Sequence, residues 1–292
     1  MAQNDHHRVE DWTLKGADDQ PILGSTDLPD TAKPRLQVLF AHGFKGYKDY
    51  GFLPVLAARL ARSLDAAVHR FNFSHSGMTR TVETFERPDL FERDTWSRQV
   101  FDIGAVDGAI RAAALPGAAA GGPVVWMGHS RGGASCLLAA GRRAQAGEGP
   151  LPEAIVTLAA PASTCSLTQE QRQQLREQGF LLSPSSRTGQ QLRVGRDWLE
   201  EIERDPQGHD LLALARAVDV PVLVVHGLDD PTVQPADAEA IAQALAQAEL
   251  ALIEGADHVF NTPNPADPQA PPSEALQRTA ERIEAFLRRL TA

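Results

Sequence analysis

The 292-residue chain is predicted to be an α/β protein with a mostly parallel central sheet, helices on both faces and an inserted cap. Three observations predict this. Short apolar runs alternate with segments of helical period before residue 124, and parallel strands need such crossover connections. The run Val124-Val125-Trp126-Met127 meets Gly128-His129-Ser130-Arg131-Gly132 and then changes to small, helix-compatible residues, which puts Ser130 at a sharp strand-to-helix turn. From about 162 to 217 a polar tract interrupts the alternation, too long for a structureless loop inside one domain. Residues 1–161 and 218–292 are therefore expected to form the core, and 162–217 the cap.

Val9 to Gly16 and Ile22 to Leu28 flank the polar turn Ala17-Asp18-Asp19-Gln20 and read as an antiparallel edge. Leu36 to Ala41 is a stronger strand, ending at the loop His42-Gly43-Phe44-Lys45-Gly46. Leu53, Leu56, Ala57, Leu60 and Leu64 recur at three- and four-residue steps and make an amphipathic helix. Ala67 to Phe73 is a strand, followed by Ser74-His75-Ser76-Gly77 and a polar excursion to about Asp94. Trp96, Val100, Ile103, Val106 and Ile110 have helical spacing, and Gly121-Gly122-Pro123 breaks that helix before the central strand. Ala154 to Ala160 is another buried strand, ended by Pro161. Within the cap, Gln169 to Gln178 and Asp197 to Arg204 read as short helices. Val220 to Val225, Ala236 to Ala248 and Leu250 to Ile253 read as strand, helix and strand. Ser273 is placed to cap a last amphipathic helix, and the Pro-rich stretch 263–272 reads as a surface loop.

The formal charge of -10 argues against nucleic acid and anionic membrane as partners, since both require a basic patch. A small neutral or weakly charged substrate fits better. With only Cys136 and Cys165 present, no disulfide framework is indicated. Met1 to Arg8 is polar with no apolar signal core, and no later run approaches the roughly 18 apolar residues of a membrane helix, so the default expectation is a cytoplasmic protein. No His, Cys and carboxylate grouping has metal-ligand spacing, so neither a metal nor another cofactor is expected. Oligomeric state is not legible.

A serine hydroxyl is a poor nucleophile at neutral pH and needs a general base, itself held by an acid. In α/β architectures such groups sit at the carboxyl ends of strands. Two stretches meet that condition: Val222 to Val225 followed by His226-Gly227-Leu228-Asp229-Asp230, and Leu252-Ile253 followed by Glu254-Gly255-Ala256-Asp257-His258. The order is Ser, Asp, His, with Asp229 and Asp230 both open as the acid. His42, His129 and His226 read first as supports of backbone geometry. His75, on a loop near the expected site, is a candidate substrate contact.

This order and its flanking patterns resemble the α/β-hydrolase superfamily over nearly the whole chain, which implies the α/β-hydrolase fold. The family's Gly-x-x-Asp-x-x-Val form matches Gly227, Asp230 and Val233, and so favours Asp230 as the acid; Gly-x-x-His matches Gly255 and His258. The resemblance implies Ser130, Asp230 and His258 as catalytic residues. It also implies an oxyanion hole made by the backbone N–H of Arg131, the residue after the serine, and by that of Phe44 in the His-Gly-x loop. Within the superfamily the motifs look most like the cinnamoyl and feruloyl esterase-like branch and its serine-aminopeptidase-like relatives. Relatives often carry Asp-x-x-Gly-His-Gly after the third strand, where this chain has Asn72-Phe73-Ser74-His75-Ser76-Gly77, so a hydroxycinnamate substrate does not follow.

The expected activity is serine-dependent cleavage of small carboxylic esters through an acyl-enzyme. Peptide, amide or thioester cleavage by the same triad is the enzymatic alternative; a peptidase would need a carboxylate for the substrate amine, for which Glu200, Glu201 and Glu203 are candidates. A non-catalytic ligand-binding protein on the same fold is the alternative from another class, and the presence of all three triad members argues against it.

Overall fold

Short apolar runs, buried at every position because helices cover both faces, make the central strands, and segments of helical period make the helices between them. A computed structural model describes residues 8–31, 33–267 and 269–290. The polar N-terminal stretch is thus described only from Arg8 onward, and within the Pro-rich loop Pro268 lies outside the described residues. The chain opens with β1 (Arg8–Lys15), β2 (Pro21–Leu28), β3 (Leu36–Ala41), α1 (Phe52–Leu64) and β4 (Ala66–Asn72). Next come α2 (Pro88–Glu92), α3 (Trp96–Arg111), β5 (Val124–His129), α4 (Arg131–Ala146) and β6 (Ala154–Leu158). The chain then leaves the sheet through α5 (Gln169–Gln178), β7 (Phe180–Pro184), β8 (Gln191–Gly195), α6 (Asp197–Arg204) and α7 (Leu211–Ala215). It returns with β9 (Val222–Gly227), α8 (Pro235–Ala244), β10 (Ala248–Ile253) and α9 (Glu274–Arg288).

Eight strands form one sheet in the order β1-β2-β4-β3-β5-β6-β9-β10. The pairs β1–β2 and β2–β4 are antiparallel and the others parallel. Side chains alternate across this sheet, as a strand requires. From β5, Val124 and Trp126 enter one core with Ile103 and Val106 of α3 and Leu137 of α4. Val125 and Met127 enter the other with Leu53 and Leu56 of α1 and Ile283 and Phe286 of α9. Helices therefore cover both faces. Ser273 caps α9 as expected, its hydroxyl accepting from the Leu276 N–H at 3.0 Å. Among the described residues, no helix is long and apolar enough to cross a membrane.

The inserted region contains more than short helices. β7 and β8 pair as a separate antiparallel hairpin that the sequence reading missed, because each strand is only five residues long, too short to stand out in a polar tract. A third apolar cluster, with Tyr47, Met78, Phe85, Phe91 and Leu192, packs this hairpin onto the excursion after β4 and the loop after β3. Arg187, between the hairpin strands, lies 4.8 Å from the Tyr47 ring centroid and 5.2 Å from that of Phe85. α7 packs differently: Leu211 and Leu214 join the main core beside α4.

Two devices fix the loops at the carboxyl end of the sheet. Asp102, buried on α3, accepts from the N–H groups of Ala17 at 2.8 Å and Ser74 at 2.7 Å, which ties the β1–β2 turn and the loop after β4 to one helix. The other is the backbone contact at Gly132, where an added Cβ would stand 2.6 Å from the Ala41 carbonyl oxygen and closer still to that of His42. Neither partner is a flexible side chain that can give way. Gly132→Ala is accordingly expected to lower unfolding free energy by about 3 kcal/mol, as overpacking against fixed atoms does; an unchanged urea midpoint would contradict this packing.

Candidate active site

Ser130 sits between β5 and α4 with φ 53° and ψ -124°, a left-handed conformation that a side-chain-bearing residue adopts at a cost of about 1–3 kcal/mol. Its N–H donates to the Leu158 carbonyl of β6 at 2.7 Å, and this bond anchors the strained turn to the neighbouring strand. Gly128 and Gly132 let the two arms of the turn approach; a Cβ on Gly128 would lie 2.5 Å from the Gly133 nitrogen. The serine is 9% exposed, held up at the end of the sheet.

Asp230 follows β9. One carboxylate oxygen, Oδ1, accepts from the N–H groups of Thr232 at 2.7 Å and Val233 at 3.0 Å. The other, Oδ2, accepts from His258 Nδ1 at 2.7 Å, while His258 Nε2 lies 3.1 Å from Ser130 Oγ. Three residues distant in the chain thus form one continuous relay. Asp229, the other candidate, is exposed. His226 was read as support beneath the acid loop, and the geometry adds a detail: its Nε2 donates to the Val233 carbonyl at 2.9 Å and lies 3.3 Å from Asp230 Oδ2. Burial alone would raise the Asp230 pKa. Hydrogen bonds from His226, His258 and the Val233 N–H outweigh it and hold the carboxyl well below the usual range.

His42, His69, His75 and His129 are buried, and burial pushes each of them well below the usual imidazole range. Burial pushes His42 down to about 4, although a bond to the Gly43 carbonyl opposes the shift. Its Nδ1 donates to that carbonyl at 2.8 Å and its Nε2 accepts from the Phe73 N–H at 3.2 Å, so the ring shapes the loop after β3. His129 is pushed to about 3, by burial first and His258 second, and donates from Nε2 to the His258 carbonyl at 2.9 Å. His75 has Nδ1 2.9 Å from Ser74 Oγ and Nε2 3.4 Å from Asp18 Oδ2. It is not among the residues lining the cavity in front of Ser130.

That cavity measures about 60 Å³ and is lined by Gly43, Phe44, Tyr50, Leu53 and Val259 together with Ser130 and His258. Glu200 and Glu201 instead line a separate groove of about 720 Å³, and Glu203 pairs with Arg176. Among the described residues, no His, Cys, Asp and Glu side chains are grouped to hold a metal ion.

Such a relay can deprotonate a hydroxyl as it attacks, with Asp230 stabilising the imidazolium that results. Asp230→Asn is expected to lower kcat on an activated ester about 10,000-fold, as loss of the acid does in comparable triads. The folded carboxyl lies below the unfolded value of about 3.9, so its stabilising contribution is complete above that pH and is lost as pH falls through the depressed value. Urea denaturation should show the stability gap between wild type and variant narrowing only below about pH 4; a gap that closes already between pH 7 and 5 would contradict the assignment.

Comparison with known proteins places the chain in a family. The chain superposes on the esterase domain of a Rhodothermus marinus protein with a TM-score of 0.64 and 23% identity, covering 97% of this chain and 98% of that one. Est1E from Butyrivibrio proteoclasticus gives 0.65 at 17% identity, with 95% and 97% covered, and a putative hydrolase from Agrobacterium vitis gives 0.70 at 20%, with 96% and 99% covered. These likenesses show the fold. No curated protein matches the chain. The sequence model of the alpha/beta hydrolase family matches residues 38–270, from β3 to beyond His258, and the chain belongs to that family.

Proposed function

We propose that the protein is a cytoplasmic serine hydrolase that cleaves small carboxylic esters through an acyl-enzyme. The observation that carries this reading is the relay from Ser130 Oγ to His258 at 3.1 Å and from His258 to Asp230 at 2.7 Å, opening on a small cavity. Ser130 Oγ attacks the ester carbonyl while His258 takes its proton. The N–H groups of Phe44 and Arg131 receive the oxyanion; Phe44 lines the cavity, and Arg131 is the first residue of α4, where a backbone N–H has no acceptor within the helix. As the tetrahedral intermediate collapses, His258 returns the proton to the leaving alcohol. Water, deprotonated by His258, then attacks the acyl-enzyme and releases the acid, and the serine recovers its proton.

Cavity size supports the small-ester reading. A water molecule needs about 10–15 Å³ of such volume, so about four to six water-sized groups fit in 60 Å³, enough for an acetyl to butyryl group. The named relatives support ester chemistry: one is an esterase domain, and Est1E has been observed with ferulic acid. The cavity gives no support for ferulate, which is much larger. Aminopeptidase activity is disfavoured because Glu200 and Glu201 line the other groove and Glu203 is engaged by Arg176. A cytoplasmic setting agrees with two free thiols, Cys136 and Cys165. Residues 162–217 are taken as the cap insertion, with α7 as the part that anchors it to the core.

Two measurements test the reading. Ser130→Ala is expected to lower kcat on p-nitrophenyl acetate about a million-fold, the usual loss for a triad nucleophile; undiminished hydrolysis would defeat it. Across p-nitrophenyl esters, kcat/KM should fall at least about tenfold from butyrate to octanoate, since the four added methylenes overfill so small a cavity and must be forced against its walls. A profile that rises with chain length would indicate a lipase, and faster turnover of acyl thioesters or aminoacyl amides would transfer the activity to those classes.

A further inference from the structure

Arg131 carries a charge beside the nucleophile that the mechanism leaves unused. Its side chain is 9% exposed, and neither Nε nor Nη2 makes a hydrogen bond. Burial of a charge without directed hydrogen bonds is unfavourable unless its surroundings compensate. The surroundings show what holds it. The guanidinium carbon lies 4.6 Å from the Trp96 ring centroid and 5.7 Å from that of Phe44, with Asp94 Oδ2 3.5 Å from Nη2. A planar, weakly hydrated guanidinium suits a slot between aromatic faces, whereas an ammonium does not.

Both ends of this column are anchored differently. Trp96 is fixed: its indole N–H donates to the Thr164 carbonyl at 3.0 Å and its ring is buried. Asp94 is fixed as well, accepting from Gln99 Nε2 at 2.7 Å, and Gln99 Oε1 accepts from Ser135 Oγ at 2.7 Å. Phe44 is the loose end. It is 40% exposed, on the loop after β3, and besides Arg131 its ring meets Phe91 at 5.3 Å between centroids and the Nζ of the neighbouring Lys45, only partly buried, at 5.5 Å.

We propose that Arg131 is a positioning residue: its guanidinium, packed between Trp96 and Phe44 and neutralised by Asp94, holds the Phe44 backbone N–H where the oxyanion forms. One residue then serves the oxyanion twice, through its own N–H and through a side chain that sets the second donor. The inference rests on the esterase reading and on the two-donor oxyanion hole.

The test compares Arg131→Met, Phe44→Leu and the double variant with wild type on p-nitrophenyl acetate, per active site titrated with a fluorophosphonate. Phe44→Leu removes the ring but keeps the backbone N–H. Each single variant is expected to lose about 10- to 100-fold in kcat with KM changed less than about threefold, the range between a misplaced and a missing donor. Because both act through one contact, the double variant should be no worse than the poorer single. Affinity for a trifluoromethyl ketone, whose adduct places an oxyanion in the hole, should fall by the same factor as kcat/KM. Active wild type with Arg131→Met within twofold of it, or full additivity in the double variant, overturns the proposal. If Arg131→Met does not fold, Phe44→Leu decides: the same loss supports the proposal and unchanged kcat overturns it. A wild type that neither hydrolyses esters nor labels with fluorophosphonate overturns the esterase reading and the inference together.

Discussion

Backbone-to-backbone contact beneath Ser130 is the constraint on which the rest of the site depends. β3 ends at Ala41, β5 ends at His129, and the first turn of α4 passes between them with only Gly132 able to fill the gap. That closeness allows β5 to reverse into a helix within one residue. The strained dihedrals of Ser130 follow from it, as does the nearness of the His42-Gly43-Phe44 loop to the serine. The energy for this arrangement comes from the two apolar cores that clamp β5 from either face. A buried, fully paired strand can hold a strained residue at its end; an edge strand could not over-determine it.

Hydrogen-bond partners then distinguish His258 from the histidines buried around it. His42, His69 and His129 are buried and lie well below the usual imidazole range, with ring nitrogens committed to neighbouring groups. His258 faces an ionised carboxylate on one side and a hydroxyl on the other, the environment a general base requires. The carboxylate stays ionised although buried, because two backbone N–H groups and two imidazoles surround it. His226 completes this set. It steadies the acid loop through Val233 and shares Asp230, a support visible in sequence only as a histidine at a strand end.

What could be read from sequence were features set by local period and by spacing. The continuous apolar run Val124 to Met127, the three- and four-residue steps from Leu53 to Leu64 and the cap residue Ser273 each report a local preference, and each element lies where its pattern put it. Strand ends pointed to Ser130, His258 and the pair Asp229 and Asp230, the family form Gly-x-x-Asp-x-x-Val chose Asp230, and the structure brings Ser130, Asp230 and His258 together. The hairpin β7–β8 was not legible, since five-residue strands with mixed polarity carry almost no periodic signal. Nor was the environment of Arg131, which joins residues 44, 94, 96 and 131 from separate parts of the chain. His75 looked close to the site along the chain, yet its ring turns toward Ser74 and Asp18. Proximity in sequence and proximity in space part company wherever a loop's direction is set by distant contacts.

The central claim is that an acyl group passes through Ser130 under the control of His258. Intact-mass and peptide analysis of enzyme quenched in acid within milliseconds of mixing with a p-nitrophenyl ester tests it most directly. The expected result is one acyl group per chain, on Ser130 and released on standing, with no such adduct in His258→Ala. An acyl group on Cys165, or turnover with Ser130 never modified, would contradict the account.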